Sequence, residues 1–284
     1  MKYGFCMLLW TGHVTLEHLP QIRALKKTGY DSVEIPMFEG TPDHYAKLGE
    51  AIAKLGLGVT TVSVLPSGCN SLSDDKAERK AAVERAKWAL DCTAALGGSI
   101  LGGPMHSEIG RFSGKGPTKE ERKRGIAFHQ AAGDYAAKKN VRFAVEALNR
   151  FECYFLNTME QLADYLNEVD HPAVKGMYDT FHSNIEEKDP VGAIKTIKRH
   201  MIHVHISEND RGTPGKGHVP WAQTYKALKA AKYDGYMTIE AFGSAVPGVA
   251  AATRVWRDFF PNPEEVYKVG LKNMKQGWAK AGGK

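Results

Sequence analysis

The stretch Val141-Arg-Phe-Ala-Val-Glu-Ala-Leu-Asn-Arg-Phe-Glu152 decides the fold. An apolar run from Phe143 to Val145 leads directly into a carboxylate, Glu146, and a polar loop with a second carboxylate, Glu152, follows at once. A buried strand that delivers an acid to its C-terminal end is the way in which a (β/α)8 barrel builds a functional site. The stretch therefore predicts a parallel α/β barrel with a site at the carboxyl end of its strands.

Three later stretches repeat this pattern of a strand that ends in a functional side chain. Val174-Lys-Gly-Met-Tyr-Asp179 and Tyr236-Met-Thr-Ile-Glu240 end in acids, and Met201-Ile-His-Val-His205 ends in an imidazole. Counted from Glu146, the four ends are 33, 26 and 35 residues apart, and each interval suits one strand–helix unit of a barrel. Because the carboxyl ends of barrel strands lie on one rim, we expect the four side chains to meet there.

The remaining chain alternates in the same way between strand-like and helix-like segments. Residues 3–9, 32–35, 59–65 and 99–101 read as four earlier strands, and capped helical segments stand between the strands, among them one that begins with the capping box of Thr118 and Glu121. Eight alternations without an internal break predict one (β/α)8 barrel domain over residues 1–284. A doubly wound parallel sheet is the structural alternative, but it would not bring strands five to eight around one mouth.

Composition and charge narrow the class of protein. The 284 residues are 43% hydrophobic and 25% charged, which is ordinary for a globular enzyme. The formal net charge is +6, but lysines and arginines are scattered along predicted helices, so we expect solvated helix faces and no nucleic-acid partner.

Targeting and cysteine usage indicate the compartment. No apolar run approaches the ~20 residues of a membrane span, and no signal-peptide pattern precedes the first strand, so we expect no membrane partner. The four cysteines form no C-x-x-C pair, which argues against a zinc knuckle and a redox dithiol. A reduced, cytoplasmic protein is the expectation.

The four strand ends suit a divalent metal. Three carboxylates and one imidazole favour an ion of intermediate hardness, Mn²⁺ or Co²⁺, with Mg²⁺ as a further candidate, whereas structural zinc would want thiolates or more histidine. Each residue alone has an ordinary explanation, such as a salt-bridged strand end or a hydrogen-bonded core histidine. The regular spacing of all four favours one metal ion per subunit. Six histidines on predicted loops or helices are expected to face solvent: His13, His18, His44, His129, His171 and His200.

Longer motifs around these positions resemble the ketose 3-epimerases, which include the D-tagatose, D-allulose (D-psicose) and L-ribulose 3-epimerases and have a xylose-isomerase-like barrel. The motifs are Glu146-Ala-Leu-Asn-Arg-Phe-Glu152, Asp179-Thr-Phe-His-Ser-Asn-Ile-Glu-Glu187, His205-Ile-Ser-Glu-Asn-Asp-Arg211, and Pro214-Gly-Lys-Gly217 with Pro220-Trp221. The similarity extends over nearly the whole chain, including Val255-Trp-Arg-Asp258.

The resemblance implies a metal and an acid–base pair. The metal would be held by Glu146, Asp179, His205 and Glu240. Inversion at C3 of a 2-ketose removes a proton next to the C2 carbonyl and returns one to the opposite face, so it needs two groups that flank the sugar. Glu146 and Glu240 are expected to be these groups, and coordination of the sugar oxygens would stabilise an enediolate.

The resemblance also implies how the substrate is held and how the protein assembles. Glu152, His182 and Arg211 are expected to bind the oxygens near C1 to C3 of a free monosaccharide. Relatives often have aromatic residues where this chain has Cys6 and Ile109, so we expect a roomier distal pocket around C4 to C6 and leave the identity of the sugar open. A homodimer or homotetramer is expected.

Three rival functions stay open. An aldose–ketose isomerase of the same barrel type would move a proton between C1 and C2. A metal-dependent DNA-repair endonuclease of similar shape has only the basic net charge in its favour. A sugar-binding module that keeps the metal site but has lost turnover is the third.

Overall fold

Eight parallel strands close into a barrel in the computed structural model, which describes residues 1–282. Each strand pairs with the next, and the last pairs with the first. This closure confirms the (β/α)8 barrel and excludes the doubly wound sheet. The strands are β1 (Lys2–Cys6), β2 (Ser32–Pro36), β3 (Gly58–Val62), β4 (Ile100–Gly103), β5 (Arg142–Val145), β6 (Val174–Asp179), β7 (Met201–Ile206) and β8 (Tyr236–Ile239).

Helices connect the strands, and seven of the ten described helices begin at a side chain that accepts a hydrogen bond from a free backbone N–H group of the first turn. In the capping box predicted from the sequence, the backbone N–H of Glu121 donates to Thr118 Oγ1 (3.2 Å) and the backbone N–H of Thr118 donates to Glu121 Oε2 (2.7 Å). The helices described are α1 (Leu19–Thr28), α2 (Pro42–Lys54), α3 (Lys76–Ala95), α4 (Lys119–Lys138), α5 (Met159–Val169), α6 (Thr180–Glu186), α7 (Pro190–Ile197), α8 (Trp221–Ala230), α9 (Pro247–Thr253) and α10 (Pro263–Lys280).

The first strand is shorter than the apolar run that predicted it. β1 ends at Cys6, and Met7–Leu9 form a 3-10 turn closed by bonds from the backbone N–H groups of Trp10 and Thr11 to the Met7 carbonyl (2.9 and 3.1 Å). A continuous apolar run has no period that separates a strand from a turn, so only the tertiary structure fixes this boundary. The turn carries Leu8 onto the wall of the cavity described below.

The interior of the barrel is unusually polar. Barrel interiors are dominated by bulky aliphatic side chains, but here six fully buried polar residues lie on neighbouring strands. Gly4 on β1 makes room for two of them, because a Cβ at this position would lie 2.5 Å from Thr238 Oγ1 and 2.8 Å from Ser32 Oγ. The six residues are Ser32, Glu34, Thr60, His203, His205 and Thr238.

The expectation that six loop and helix histidines face solvent was wrong for His129. This residue is fully buried on the inner face of α4, and its Nδ1 lies 2.6 Å from the hydroxyl of Tyr165 on α5. Its ring packs edge-on against Phe143 of β5. The helical pattern around it contains many alanines, so the sequence did not distinguish the inner face. The other five histidines of this group are only partly exposed.

No helix among residues 1–282 is both long enough and apolar enough to span a bilayer.

Candidate active site

The four predicted strand ends come together at the carboxyl rim of the barrel. Asp179 is the last residue of β6 and His205 lies in β7, while Glu146 and Glu240 each follow the end of a strand by one residue. All four are buried, and their candidate ligand atoms lie within 4.8 Å of one another. Such a cluster can bind one metal ion.

Two unpartnered atoms show that the cluster fits a cation. His205 Nδ1 lies 3.4 Å from Glu240 Oε1 and 3.7 Å from the nearest oxygens of Glu146 and Asp179. Within the described part of the chain, this nitrogen and Glu146 Oε1 are buried without a hydrogen-bond partner. Buried polar atoms are nearly always satisfied, so two such atoms that face the same point suit ligands of an ion. Three oxygens and one nitrogen fit a divalent metal of intermediate hardness.

The electrostatics of the cluster also favour a cation. Burial, together with repulsion from Glu240 and Asp179, raises the pKa of Glu146 well above its usual value. Although burial opposes it, attraction to Glu240 and Glu34 raises the pKa of His205. Positive charge at this point is therefore stabilised, whether it is a proton on the imidazole or an ion among the carboxylates.

Arg211 reaches the same carboxylates through its planar fork of donors. Its Nη1 donates to Glu240 Oε2 (2.8 Å), Asp179 Oδ2 (3.3 Å) and Ser207 Oγ (3.2 Å). The guanidinium carbon lies 3.7 Å from the ring centre of Phe181 and 4.7 Å from that of Phe242. Against the effect of burial, this guanidinium lowers the pKa of Asp179 below its usual range.

The backbone of Arg211 is in the left-handed region, with φ of 65°. A non-glycine residue costs about 1–2 kcal/mol there, and such strain concentrates at functional sites. The conformation is held by hydrogen bonds from Arg211 N to the Glu208 carbonyl and from Phe242 N to the Arg211 carbonyl, both 3.0 Å. The strained turn thus keeps the guanidinium beside the cluster of four candidate metal ligands.

His182 presents a hydrogen-bond donor to the cavity. The backbone N–H of Asn149 donates to its Nδ1 (3.0 Å), so the ring hydrogen must lie on Nε2. Burial, with repulsion from Arg211, lowers the pKa of His182 to about 3, so the ring is neutral at physiological pH. Nε2 lies 3.0 Å from Arg211 Nη2, but two N–H groups cannot bond each other. Both donors suit an acceptor oxygen that a ligand brings between them.

The side chain of Glu152 is held in position by Asn149 as well. Asn149 Nδ2 donates to Glu152 Oε1 (2.7 Å) as well as approaching His182, and burial raises the pKa of the Glu152 carboxyl. The sequence reading did not single out Asn149, although its position three residues before Glu152 allows this contact within one turn. Asn149 therefore positions two of the three predicted substrate-binding residues.

A cavity of about 550 Å³ opens above the cluster. Its polar end contains two of the metal-cluster residues and all three predicted substrate residues: Glu146, Glu240, Glu152, His182 and Arg211. A wall of packed apolar side chains borders it: Leu8, Phe38, Val62, Phe242 and Val249.

The two predicted distal-pocket residues have different locations. Ile109 lines the cavity, in the loop after β4. Cys6 is fully buried and is not among the lining residues; it packs in the apolar cluster that includes Leu8. Leu8, displaced from the strand by the 3-10 turn, forms the wall surface on this side.

The sequence reading missed a buried carboxylate behind the metal cluster. Glu34 of β2 accepts a hydrogen bond from His205 Nε2 (2.8 Å) and one from Thr60 Oγ1 (2.9 Å), and its other contact is His203 Nε2 at 2.7 Å. Although burial opposes it, attraction to His205 and His203 lowers the pKa of Glu34. The available signal was an acid inside an otherwise apolar strand segment, Ser32-Val-Glu-Ile35.

Known proteins are similar to this chain in sequence and fold over almost its whole length. The pattern of the family described as xylose isomerase-like TIM barrel matches residues 22–276. A probable ketose 3-epimerase of Synechocystis sp. is 32% identical, with 97% of this chain and 96% of the relative aligned. An L-ribulose 3-epimerase of Methylomonas sp. is 30% identical, with 97% of each chain aligned.

Solved structures agree with this comparison. The crystal structure of a D-allulose 3-epimerase from Methylomonas sp., in complex with D-allulose, superposes with a TM-score of 0.91 at 29% identity. The match covers 97% of this chain and 96% of that one.

Proposed function

The chain belongs to the ketose 3-epimerases of the xylose isomerase-like TIM barrel family, and we propose from this that it inverts the configuration of free ketoses at C3. It is accordingly an isomerase that acts on carbohydrates. The observation that supports the proposal most directly is the buried cluster of three carboxylates and one imidazole, whose ligand atoms lie within 4.8 Å of one another at the end of the cavity.

We propose that Glu146, Asp179, His205 and Glu240 hold one Mn²⁺ or Co²⁺ ion, with Mg²⁺ as a further candidate. Such an ion supplies Lewis-acid polarisation of the ketose oxygens and so acidifies the hydrogen at C3.

The two glutamates are the proposed acid–base pair. Glu146 and Glu240 extend from β5 and β8 and both line the cavity, so a sugar can lie between them. One carboxylate takes the C3 proton from one face, and the other returns a proton to the opposite face. The raised pKa of Glu146 suits a group that must also hold a proton during turnover.

Three further residues are the proposed anchors for the sugar oxygens. His182 Nε2 and Arg211 Nη2 are two converging donors 3.0 Å apart, which matches a carbonyl or hydroxyl oxygen as the shared acceptor. Glu152, ordered by Asn149, supplies a carboxylate that accepts from a hydroxyl group. Together they orient the C1 to C3 end of the substrate toward the metal cluster.

The apolar wall predicts a broad substrate range at C4 to C6. Leu8, Val62 and Val249 give no hydrogen bonds to distal hydroxyl groups, so discrimination must rest mainly on the anchored end. We expect kcat/KM values for D-fructose, D-tagatose, D-allulose and L-ribulose to fall within roughly two orders of magnitude, the scale that a few apolar contacts set. Ile109→Trp should narrow this range by filling the wall, whereas acceptance of one ketose alone by the unaltered protein would contradict the argument.

Incubation with D-fructose and Mn²⁺ tests the reaction itself. Epimerisation at C3 gives D-allulose, and in D2O the product carries deuterium at C3. An aldose product would establish the alternative, an aldose–ketose isomerase that moves a proton between C1 and C2. Binding without deuterium exchange would indicate a sugar-binding module instead.

We also propose that the protein forms a homodimer or homotetramer. Phe112 and Phe151 are large apolar residues with 48% and 69% of their surface exposed on neighbouring rim loops, which are joined by a hydrogen bond from Gly110 N to the Glu152 carbonyl (2.9 Å). Aromatic residues are enriched at protein–protein interfaces relative to the rest of the surface. Sedimentation analysis of the wild type and Phe151→Asp should give a smaller species for the variant, and a monomeric wild type would contradict the proposal.

A further inference from the structure

We propose that Glu34 is a positioning residue that fixes the ring of His205 and thereby sets the affinity of the site for its metal. This inference rests on the proposed function, because it assigns His205 as a metal ligand. It concerns a carboxylate that lies one layer deeper in the barrel and does not line the cavity.

The two nitrogens of His205 face in opposite directions and have different partners. Nδ1 faces the metal cluster, 3.4 Å from Glu240 Oε1, and Nε2 donates to Glu34 Oε1 at 2.8 Å. A carboxylate on the far nitrogen keeps the hydrogen there, so the lone pair of Nδ1 stays available for a cation. It also fixes the plane of the ring and makes the ligand nitrogen more basic.

Glu34 is itself held in place from two sides. Thr60, its register partner on β3, donates its hydroxyl to Oε2 (2.9 Å), and His203 Nε2 lies 2.7 Å from the same oxygen. His203 is two residues before His205 on β7, so both imidazoles point into the barrel. All four side chains are fully buried, which leaves Glu34 no alternative position in solvent.

Stability alone does not explain a carboxylate at this depth. Burying an ionised acid is costly even when it is paired, and a barrel interior is ordinarily filled by valine, isoleucine or leucine. Contacts with two histidines and a threonine offset the cost of burying this carboxylate. These three partners are themselves polar groups buried in the core, so they add a cost of their own. An arrangement of this kind is explained by its effect on His205, the one member that also belongs to the metal cluster.

A second ion held by Glu34, His203 and His205 is the competing explanation, because their ligand atoms also lie within 4.8 Å of one another. The contacts disfavour it. Both oxygens of Glu34 already accept hydrogen bonds, Oε1 from His205 Nε2 and Oε2 from the Thr60 hydroxyl. The stoichiometry of binding separates the two explanations.

The test is the dissociation constant and stoichiometry of Mn²⁺ measured by calorimetry on the metal-stripped full chain. Glu34→Gln keeps an oxygen acceptor but removes the charge, and we expect about 10–100-fold weaker binding, the usual effect of losing such a partner. Thr60→Val removes only the hydroxyl that holds Glu34. We expect Mn²⁺ binding to weaken by about threefold or more, since Glu34 loses one charge-assisted hydrogen bond that fixes its position.

Thr61→Val is the matched control for the milder variant. Thr61 is the next residue on β3, is equally buried and also loses a hydroxyl bond, but its partners are Thr93 Oγ1 (2.7 Å) and the Ile100 carbonyl (3.1 Å). We expect urea unfolding without metal to show similar destabilisation of Thr60→Val and Thr61→Val, while only Thr60→Val weakens Mn²⁺ binding.

Each outcome decides the inference. One ion per chain, with weaker binding in Glu34→Gln and Thr60→Val but not in Thr61→Val, supports the positioning role. Wild-type affinity in Glu34→Gln, equal affinities in the two threonine variants, or two ions per chain would overturn it and leave the proposed epimerase intact. Failure of the wild type to bind Mn²⁺ would overturn the proposed metal centre and the positioning role together.

Discussion

Glu146 and Glu240 occupy similar positions on the rim but have different partners. Glu240 Oε2 accepts from Arg211, whereas Glu146 Oε1 has no hydrogen-bond partner among the described residues. Burial raises the pKa of Glu146, so this side chain is suited to exchange a proton. The two carboxylates can therefore flank one substrate and still differ in how readily they hold a proton.

Replacement of either carboxylate should abolish most of the activity. We expect Glu146→Gln and Glu240→Gln each to lower kcat by about 10²–10⁴-fold, because an amide cannot accept the C3 proton. Activity should be measured alongside metal content by elemental analysis, since both residues are also proposed ligands. Glu187→Gln is the control, because it makes the same substitution at a partly buried carboxylate that does not line the cavity. Glu187 Oε1 accepts a hydrogen bond from the backbone N–H of Met159 (2.6 Å). Near-native kcat in either rim variant would remove that glutamate from the mechanism.

Arg211→Lys should not be a conservative substitution. The guanidinium bonds two carboxylates through Nη1 and directs Nη2 toward the position shared with His182, and a single ammonium cannot reproduce this planar fork. We expect kcat/KM to fall by about 10–100-fold, the scale of one or two charge-assisted bonds, while Mn²⁺ still binds. Steady-state kinetics with parallel calorimetry measures both quantities, and unchanged kcat/KM would exclude Arg211 from substrate binding.

At the scale of elements, α4 contributes a titratable group to the core. Burial lowers the pKa of His129 to about 3, whereas an unfolded histidine has a pKa of about 6.5. Between these values the unfolded chain binds a proton that the folded chain excludes. The contribution of neutral, buried His129 to the free energy of unfolding is therefore fully present above pH ~6.5 and is lost as the pH falls toward 3.

His129→Gln should reduce this acid sensitivity. The variant loses packing and the contact with Tyr165, so we expect it to be less stable than the wild type at pH 7 by about 1–3 kcal/mol. The difference should shrink as the pH falls, by up to ~1.4 kcal/mol per pH unit, because only the wild type has this proton-linked loss. Urea unfolding from pH 7 to pH 5 measures it, and parallel stability curves for the two proteins would contradict the assignment.

At the scale of the whole molecule, the barrel and the metal centre should be separable. The strands form a closed ring of parallel pairs, and a continuous buried core joins the strands to the outer helices. These apolar contacts, rather than one ion, supply most of the free energy of folding. The four candidate ligands lie at the rim of the barrel, so we expect that removal of a bound ion leaves this core unchanged.

Chelation should therefore abolish turnover without unfolding the protein. We expect no epimerisation in excess EDTA, recovery on addition of Mn²⁺ or Co²⁺, and an unchanged far-UV circular dichroism spectrum throughout. Full activity with metal absence confirmed by elemental analysis would refute the proposed metal role. Loss of the spectrum would show instead that the ion is needed for folding.

The sequence by itself determined the order of the eight strands and the four rim residues. Strand and helix periods are local, and the carboxyl ends of parallel strands must share a rim, so the positions of Glu146, Asp179, His205 and Glu240 followed from spacing alone. The motif from Asn149 to Glu152 is equally local. These features depend on neighbours along the chain, which a sequence displays directly.

Only the tertiary structure decided what lies behind and beside that rim. Glu34 meets His205 across 171 residues of sequence, and Asn149 fixes the tautomer of His182 across 33. Cys6 is buried while Leu8, in the 3-10 turn that follows β1, lines the cavity. His129 faces inward on a helix with no marked apolar face. Strand pairing and helix rotation set these contacts, and both arise from packing the whole chain around one barrel, so no local pattern reports them.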